Sequence, residues 1–460
     1  MEQNTSVKTV ASLQSSIERL LENKRYATLR DIFITLQPVD IAAMFDEMPE
    51  ESLPLLFRLL PKELAADTFV EMDDDAQELL IHGFSDTELK EVVDELYVDD
   101  AVDLIEEMPA NVVMRILRQA DPEVRTKINE VLNYPEDSAG SIMTTEFVSL
   151  RPTMTVSDSI KRIRRTGVDK ETIYTCYVIE DNRKLIGLIS IKTLLLSDED
   201  DVISDIMEPN VISVNTLDDQ EQVANKFNKY GFLAIPVVDG ENRLVGIVTV
   251  DDAIDVIQEE TTEDMEMMAA ITPTDKPYMK TGVFETYAKR IPWLLILMIS
   301  ATFTGWIITS FEDALAVQVV LTAFIPMLMD TGGNSGSQAS VTIIRGLSLD
   351  EIKFRDMPKV IFKESRVAIL CGVTLAIANF IKLMLFDLNG KEDALMVALV
   401  VCLTLVFTVL VAKVIGCTLP MIAKKIGFDP AVMASPFITT AVDALSLLLY
   451  FQIAKLLLHI

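Results

Sequence analysis

Asp443 is the only acid in an apolar stretch running from Ala431 to Leu458, preceded by PFITTAV and followed by ALSLLLYF. An ionised carboxylate halfway along such a segment costs about 3 kcal/mol or more unless it is protonated or paired. The sequence places no basic residue deep enough in this apolar half to pair with it, so a bound cation is the simplest partner. Two subunits meeting near this position would supply two negative charges, the complement of one divalent ion. Small and hydroxylic neighbours (Ala434, Ser435, Thr439, Thr440, Ala444, Ser446) leave room for water. Mg²⁺ dehydrates reluctantly and touches few carboxylates, so a wet site with sparse acids suits it better than stripped Ca²⁺ or a thiolate- or imidazole-seeking metal. The other reading of Asp443 is a protonated structural aspartate in a helix interface.

A second polar segment, PMLMDTGGNSGSQAS (Pro326–Ser340), follows an apolar run. Asn334, Ser335, Ser337 and Gln338 offer oxygens to a hydrated ion. Pro326 and the glycines predict a helix broken at membrane depth, which is tolerated only against protein or a water-filled path. The same residues also read as close helix packing, with Gly332 and Gly336 as the contact face.

These residues need a membrane scaffold. A hydrocarbon core about 30 Å thick takes roughly 20 apolar helical residues. Five stretches qualify: near Ile291–Thr309, Ala314–Met329, Val367–Phe386, Ala394–Leu419 and Ala431–Leu458. Trp293 and Trp306 lie near the two ends of the first, where interfacial aromatics belong. The loop between the second and third stretches carries Arg345, Lys353, Arg355, Lys359, Lys363 and Arg366. The loop between the fourth and fifth carries Lys424 and Lys425. The turns Phe311–Asp313 and Asp387–Asp393 are poor in basic residues. The positive-inside rule puts the basic loops in the cytoplasm and the C-terminus outside. Met1–Leu20 lacks the apolar core of a signal peptide, so the N-terminal half is expected to stay cytoplasmic. Lys382, Lys413 and Lys455 are expected to snorkel from helix ends.

Charge separates the two halves. The 460 residues carry a formal charge of −30, yet half of them are hydrophobic. Up to Asp275 there are 24 basic and 57 acidic residues; from Lys276 onward there are 16 and 13. A polyanionic soluble half is repelled by phosphate backbones, which argues against nucleic-acid binding. Four scattered cysteines and two histidines suggest neither a zinc site nor a disulfide framework. No HExxH, P-loop or Ser/His/Asp constellation points to an enzyme.

The soluble half holds two kinds of repeat. To about Leu132 it reads as short amphipathic helices punctuated by Pro38, Pro49, Pro54, Pro61, Pro109 and Pro122, and Val39–Leu60 resembles Val98–Gln119. This predicts a small all-α superhelix. From Ile142, β-branched runs alternate with helices: Ile142-Met143 before FVSL matches Ile206-Met207 before VISV. Tyr174–Ser190 likewise matches Leu233–Thr249. This strongly resembles a tandem pair of cystathionine-β-synthase (CBS) domains, regulatory modules that often bind adenine nucleotides. In that pattern a strand ending G-h-h-T/S-x-x-D presents a hydroxyl to phosphate and a carboxylate to ribose. Gly246, Thr249 and Asp252 match it; Gly187, Ser190 and Thr193 lack the acid. The resemblance implies one site for ATP or another adenine nucleotide per subunit, or else an empty pair serving as a dimerising scaffold. Asp251–Lys280 then reads as an acidic helical connector.

The whole order resembles the MgtE family of magnesium channels: acidic superhelix at 1–137, CBS pair at 138–257, acidic connecting helix at 258–284 and five membrane helices at 285–460. The Pro…GGNxGxQ segment and the late PFxxTxxDxxxLLxY helix belong to the same resemblance. It implies a homodimer in the cell membrane with a central pore, opened by low and closed by high cytosolic Mg²⁺. It makes Asp443 the selectivity residue; from their own chemistry Asn334, Ser335, Gln338, Ser435, Thr439 and Thr440 are expected to line the path with it. It implies that Asp99 and Asp103 meet the CBS module as regulatory ligands, with Asp67. Glu221, Asp252, Asp255, Glu260 and Glu263 match acidic regulatory positions, and Asp429 matches the position tying the connector to the pore. Gln258 and Gly231 stand where relatives can carry acids. The alternatives are a proton- or gradient-coupled carrier of Mg²⁺ or Co²⁺ and a membrane metal sensor that does not transport.

Overall fold

The computed structural model describes residues 16–274, 278–279, 281–388, 394–433 and 435–459, without the side chains of 313, 314 and 435. Parts of the connector and of the turn before the fourth membrane helix, Ala434, and the side chain of the candidate lining residue Ser435 therefore lie outside the described residues. The chain divides into two compact units, Met1–Ile257 and Gln258–Ile460.

The first unit begins with short helices from Tyr26–Phe33 to Pro122–Val131. All six prolines noted above sit at a helix start: Pro38, Pro54 and Pro122 in the first turn, Pro49, Pro61 and Pro109 just before it. There the missing N–H has no helical partner to lose, and the fixed φ is already helical. The helices bury Phe33, Phe45, Phe57, Phe69 and Phe84 in one apolar core. The helix that matters for the site is α1, Val98–Glu107; its apolar residues Val98, Ala101, Val102, Leu104 and Ile105 are buried and fix which way its acids point.

Two three-stranded sheets follow, in the strand orders β1-β2-β3 and β4-β5-β6. The strands are β1 Phe147–Leu150, β2 Thr172–Ile179, β3 Leu185–Ser190, β4 Val214–Asn215, β5 Ala234–Val238 and β6 Leu244–Thr249. Each sheet pairs its first two strands parallel and its last two as a hairpin. The two hairpins meet through bridges such as Lys184↔Arg243, and the lead-in to each repeat crosses to the other: Thr144 pairs with Ile247, and Leu188 with Glu208. The repeats thus form one interlocked CBS pair. Helix α2 (Gln220–Tyr230) precedes β5. Helix α3 (Val250–Met268) follows β6 and runs without a break from the first unit into the second.

The second unit contains α4 Val283–Ser310, α5 Ile325–Ser348, α6 Met357–Lys382, α7 Ala394–Ile426 and α8 Ser435–Leu458. Among the described residues four segments are long and apolar enough to cross a membrane: Val283–Ser310, Phe354–Asp387, Ala394–Ile426 and Ala431–Leu458. The span expected near Ala314–Met329 is different. That stretch holds a short helix (Glu312–Val317) and a 3₁₀ turn (Val319–Phe324), and the continuous helix α5 starts only at Ile325. The Gly-rich segment, expected to break the helix, lies inside α5. Pro326 occupies its first turn, where no hydrogen bond is lost. Each helical glycine costs about 1 kcal/mol against alanine, which close packing offsets: a Cβ on Gly416 of α7 would overlap the Gly336 carbonyl.

Lys413 also departs from expectation. It does not reach an interface: it is 5% exposed, and its Nζ lies 3.7 Å from the Glu364 carboxylate of α6. A charge this far from water persists only when paired.

Candidate cation sites: an acidic cluster and a membrane aspartate

In the first turns of α1, VDDAVD sets Asp99 and Asp103 one turn apart on one face, with Asp100 beside them. Opposite lie Asp251 and Asp252, in the first turn of α3, and Glu171, immediately before β2. The charges of Asp252, Asp100 and Glu171 all act on Asp99. Burial, reinforced by Asp252, holds the Asp99 carboxyl well above the usual carboxylate range. Burial and then the Asp252 charge push Asp100 up to about 7 and Asp103 to about 8. Glu171 rises to about 8 through burial and then the Asp100 charge. Asp252 is raised by burial against the opposing pull of its Thr249 hydrogen bonds. Burial also raises Asp67, Glu71 and Asp255, with Asp255 acting on Glu71. Carboxylates pressed together in this way lack a counter-cation.

Two oxygens make the deficit concrete. Asp99 Oδ1 and Glu171 Oε2 are buried with no hydrogen-bond donor. Leaving a buried acceptor unsatisfied costs about 1–3 kcal/mol. Among the described residues no three acids converge into a ready-made metal cage. The donor set is hard oxygen throughout and loosely spaced, which fits an ion that retains its waters, as Mg²⁺ does.

Several predicted residues meet here: Asp99, Asp103, Asp67, Asp252 and Asp255. Glu71, Asp100 and Glu171 join them without having been singled out from the sequence. Asp100 lay within VDDAVD, but Glu71 and Glu171 carry no local signal, because only tertiary packing brings them to α1. Glu221 is half-buried in the first turn of α2. Glu260 and Glu263 lie further along α3, in the second unit. Asp429 accepts the Ala431 N–H at 2.7 Å and so shapes the turn leading into α8. In that same unit Met267 and Met268, at the end of α3, pack against Ala431 and against Ile344 of α5.

At the candidate nucleotide position the Asp252 carboxylate accepts from the Thr249 N–H at 3.2 Å and from its hydroxyl at 2.5 Å. In the first repeat Ser190 and Thr193 pair through their hydroxyls at 2.9 Å, with no carboxylate. Gly246 has a packing reason of its own, since a Cβ there would meet Met143 Sδ at 2.6 Å and the Thr144 carbonyl at 2.7 Å.

In the membrane unit Asp443 is half-buried on α8. Three and four positions before it, the Thr440 and Thr439 hydroxyls each donate to the Pro436 carbonyl at 2.9 Å, which leaves their lone pairs free to accept. Asn334 and Gln338, four residues apart, are exposed on one face of α5, whereas Ser335 is buried. Asp330, one turn before Asn334, is exposed on the same face and was not among the residues expected to line a path.

Known proteins match along the whole length. A family model described as a divalent cation transporter covers residues 325–453, the MgtE intracellular N domain covers 36–137, and CBS domains cover 139–199 and 203–259. The magnesium transporter MgtE of Thermus thermophilus is 35% identical over 454 residues, 97% of this chain and 99% of that protein. The magnesium transporter MgtE of Bacillus subtilis is 34% identical over 448 residues, 96% of each chain. Among solved structures, the cytosolic domain of the Mg²⁺ channel MgtE in complex with ATP is 35% identical with a TM-score of 0.51, covering 53% of this chain and 99% of that one. The soluble part of a magnesium transporter is 33% identical with a TM-score of 0.52, covering 55% and 99%. With its helical N domain, its CBS pair and its multi-helix membrane region, the chain belongs to the MgtE family of divalent cation transporters.

Proposed function

We propose that this chain carries Mg²⁺ across the cell membrane as a homodimeric channel that cytosolic Mg²⁺ closes. One observation carries the reading. Carboxylates from α1 and from the CBS pair crowd together around the buried Asp99, two of their oxygens are buried without a donor, and a divalent cation is the counter-charge they lack. Asp99, Asp103, Asp252 and Glu171 would hold that ion, with Asp67, Glu71, Asp100 and Asp255 around them; bound there, it supplies positive charge between the N domain and the CBS pair. Without it the acids repel, and the docked arrangement loses favour. Glu221, Glu260 and Glu263 are assigned to further regulatory contacts. The packing of Met267 and Met268 on Ile344 and Ala431, beside Asp429, offers a route from α3 to α5 and α8.

Asp443 is assigned as the residue that selects the permeant ion. Asn334, Gln338, Thr439 and Thr440 are assigned to line the same path with their oxygens, and Ser335 and Ser435 complete the lining proposed from the sequence. The basic loops support an orientation with the C-terminus outside and the acidic unit in the cytoplasm. An adenine nucleotide is assigned to the second CBS repeat at Thr249 and Asp252, with Gly246 beneath; a related cytosolic domain binds ATP.

Mg²⁺ entry into proteoliposomes, followed with an internal dye, tests the reading. Asp443→Asn should abolish selective flux, and Asp99→Ala with Asp103→Ala should weaken closure by Mg²⁺ on the cytoplasmic side. Unchanged selective flux in Asp443→Asn would overturn the pore assignment. Flux that requires a proton gradient would replace the channel with a coupled carrier.

A further inference from the structure

Helices α5 and α8 pack antiparallel, and their register is fixed at several points. The Tyr450 hydroxyl donates to the Leu321 carbonyl at 3.0 Å, just before α5. A Cβ on Gly332 would meet Val442 at 2.8 Å and Ser446 at 3.1 Å. One on Gly333 would meet Thr439 at 2.9 Å, and one on Gly336 would meet Ile438 at 2.6 Å. Partner numbers on α8 fall as those on α5 rise. Starting from the Gly333–Thr439 contact, one turn back along α5 reaches Asp330, and one turn forward along α8 reaches Asp443. The register therefore sets the two carboxylates at about one level.

The face on which Asp330 lies is unusual for a membrane helix. Asp330, Asn334 and Gln338 recur every four residues and are all exposed, while Leu328, Gly332, Gly333, Ser335, Gly336 and Ala339 are buried. In the middle of α4 and α6 the exposed positions are mostly apolar, including Ile299, Phe303, Leu370 and Ile377, and none of them is a carboxylate. A polar stripe headed by a carboxylate cannot rest against hydrocarbon; it belongs to a water-filled path or to a face turned toward protein.

We propose that Asp330 is a second carboxylate of the ion path, level with Asp443, and sets how strongly a hydrated divalent cation is drawn there. This rests on the assignment of Asp443 to the pore. In a two-subunit pore each protomer would contribute both carboxylates. Asp330 acts as a field on a hydrated ion rather than as a stripped-ion ligand, because no third acid closes a cage around the pair among the described residues. A unit charge about 7 Å from a divalent ion in water changes its binding by roughly tenfold or slightly less.

The test is Mg²⁺ flux through the full-length protein in proteoliposomes, measured across a range of external Mg²⁺ for wild type, Asp330→Asn, Asp330→Glu and Asp443→Asn. Asp330→Asn should raise the Mg²⁺ concentration for half-maximal flux by roughly tenfold, with maximal flux kept, and Asp330→Glu should stay near wild type. Wild-type half-saturation in Asp330→Asn while Asp443→Asn is dead would overturn the role of Asp330 alone. Equal defects in Asp330→Asn and Asp330→Glu would also overturn it, since charge would then not be the property that matters. Unchanged flux in Asp443→Asn would instead remove the pore assignment beneath both.

Discussion

The Asp252 carboxylate holds the N–H and the hydroxyl of Thr249 while its charge acts on Asp99, Asp100, Asp103 and Glu171. One side chain therefore caps the start of α3, occupies the candidate nucleotide position and faces the acids of α1. Its cap function needs only an acceptor oxygen, whereas its electrostatic function needs a full negative charge, and the amide separates the two.

Asp252→Asn keeps an acceptor for Thr249 and removes the repulsion. In a chelator the purified full-length variant should melt higher than wild type, by about 2–4 °C for each kcal/mol of repulsion relieved. Added Mg²⁺ should then raise its melting temperature less than it raises that of wild type, because the site has lost charge. Melting curves with and without Mg²⁺ decide this. A variant that matches wild type under both conditions would show that Asp252 is not part of the cation site.

Protonation should substitute for the cation. In the unfolded chain Asp100 and Glu171 titrate near 3.8 and 4.5; in the folded chain they titrate at about 7 and 8. Between these limits the folded state binds more protons, so its stability falls as pH rises. The contribution is complete below the unfolded values and is lost as pH climbs through about 7 to 8. Urea midpoints in a chelator should therefore decline from about pH 5 to pH 8, and saturating Mg²⁺ should flatten the decline. A chelated protein that grows more stable across this window would contradict the assignment of the cluster as uncompensated.

Much of the fold was legible because its patterns are local. The run FVSL became β1, and the two matching polar-turn segments became the β2-β3 and β5-β6 hairpins. Prolines marked helix starts because their geometry is local too. The Gly-rich segment of α5 reads as a break for the same reason: glycine weakens an isolated helix, and only close packing on α7 and α8, such as the Gly336 carbonyl against Gly416, explains why this one persists. Of the candidate site, Asp443 stands out by its cost of burial and Asp252 by the CBS motif, whereas Asp99 and Asp103 come from the family resemblance. Glu71, Glu171 and Asp330 could not be found, since each acquires its role from a neighbour far away in the chain.

The Lys413–Glu364 pair yields the last prediction. Both side chains are nearly buried, at 7% and 13% exposure, and they join α7 to α6. Pairing here is weak evidence for stability in itself, because desolvation of two charges offsets most of their attraction. Breaking the pair is another matter. Lys413→Met leaves the Glu364 carboxylate buried without its partner, and a lone buried charge of this kind costs about 3–5 kcal/mol. Glu364→Gln should be as harmful, because it strands the ammonium. The double variant Lys413→Met with Glu364→Gln removes both charges and should recover most of the loss. Thermal stability of the detergent-solubilised protein measures all three. Additive losses in the double variant would mean that each residue acts alone, and that the long stem of Lys413, rather than its charge, holds α7 in place.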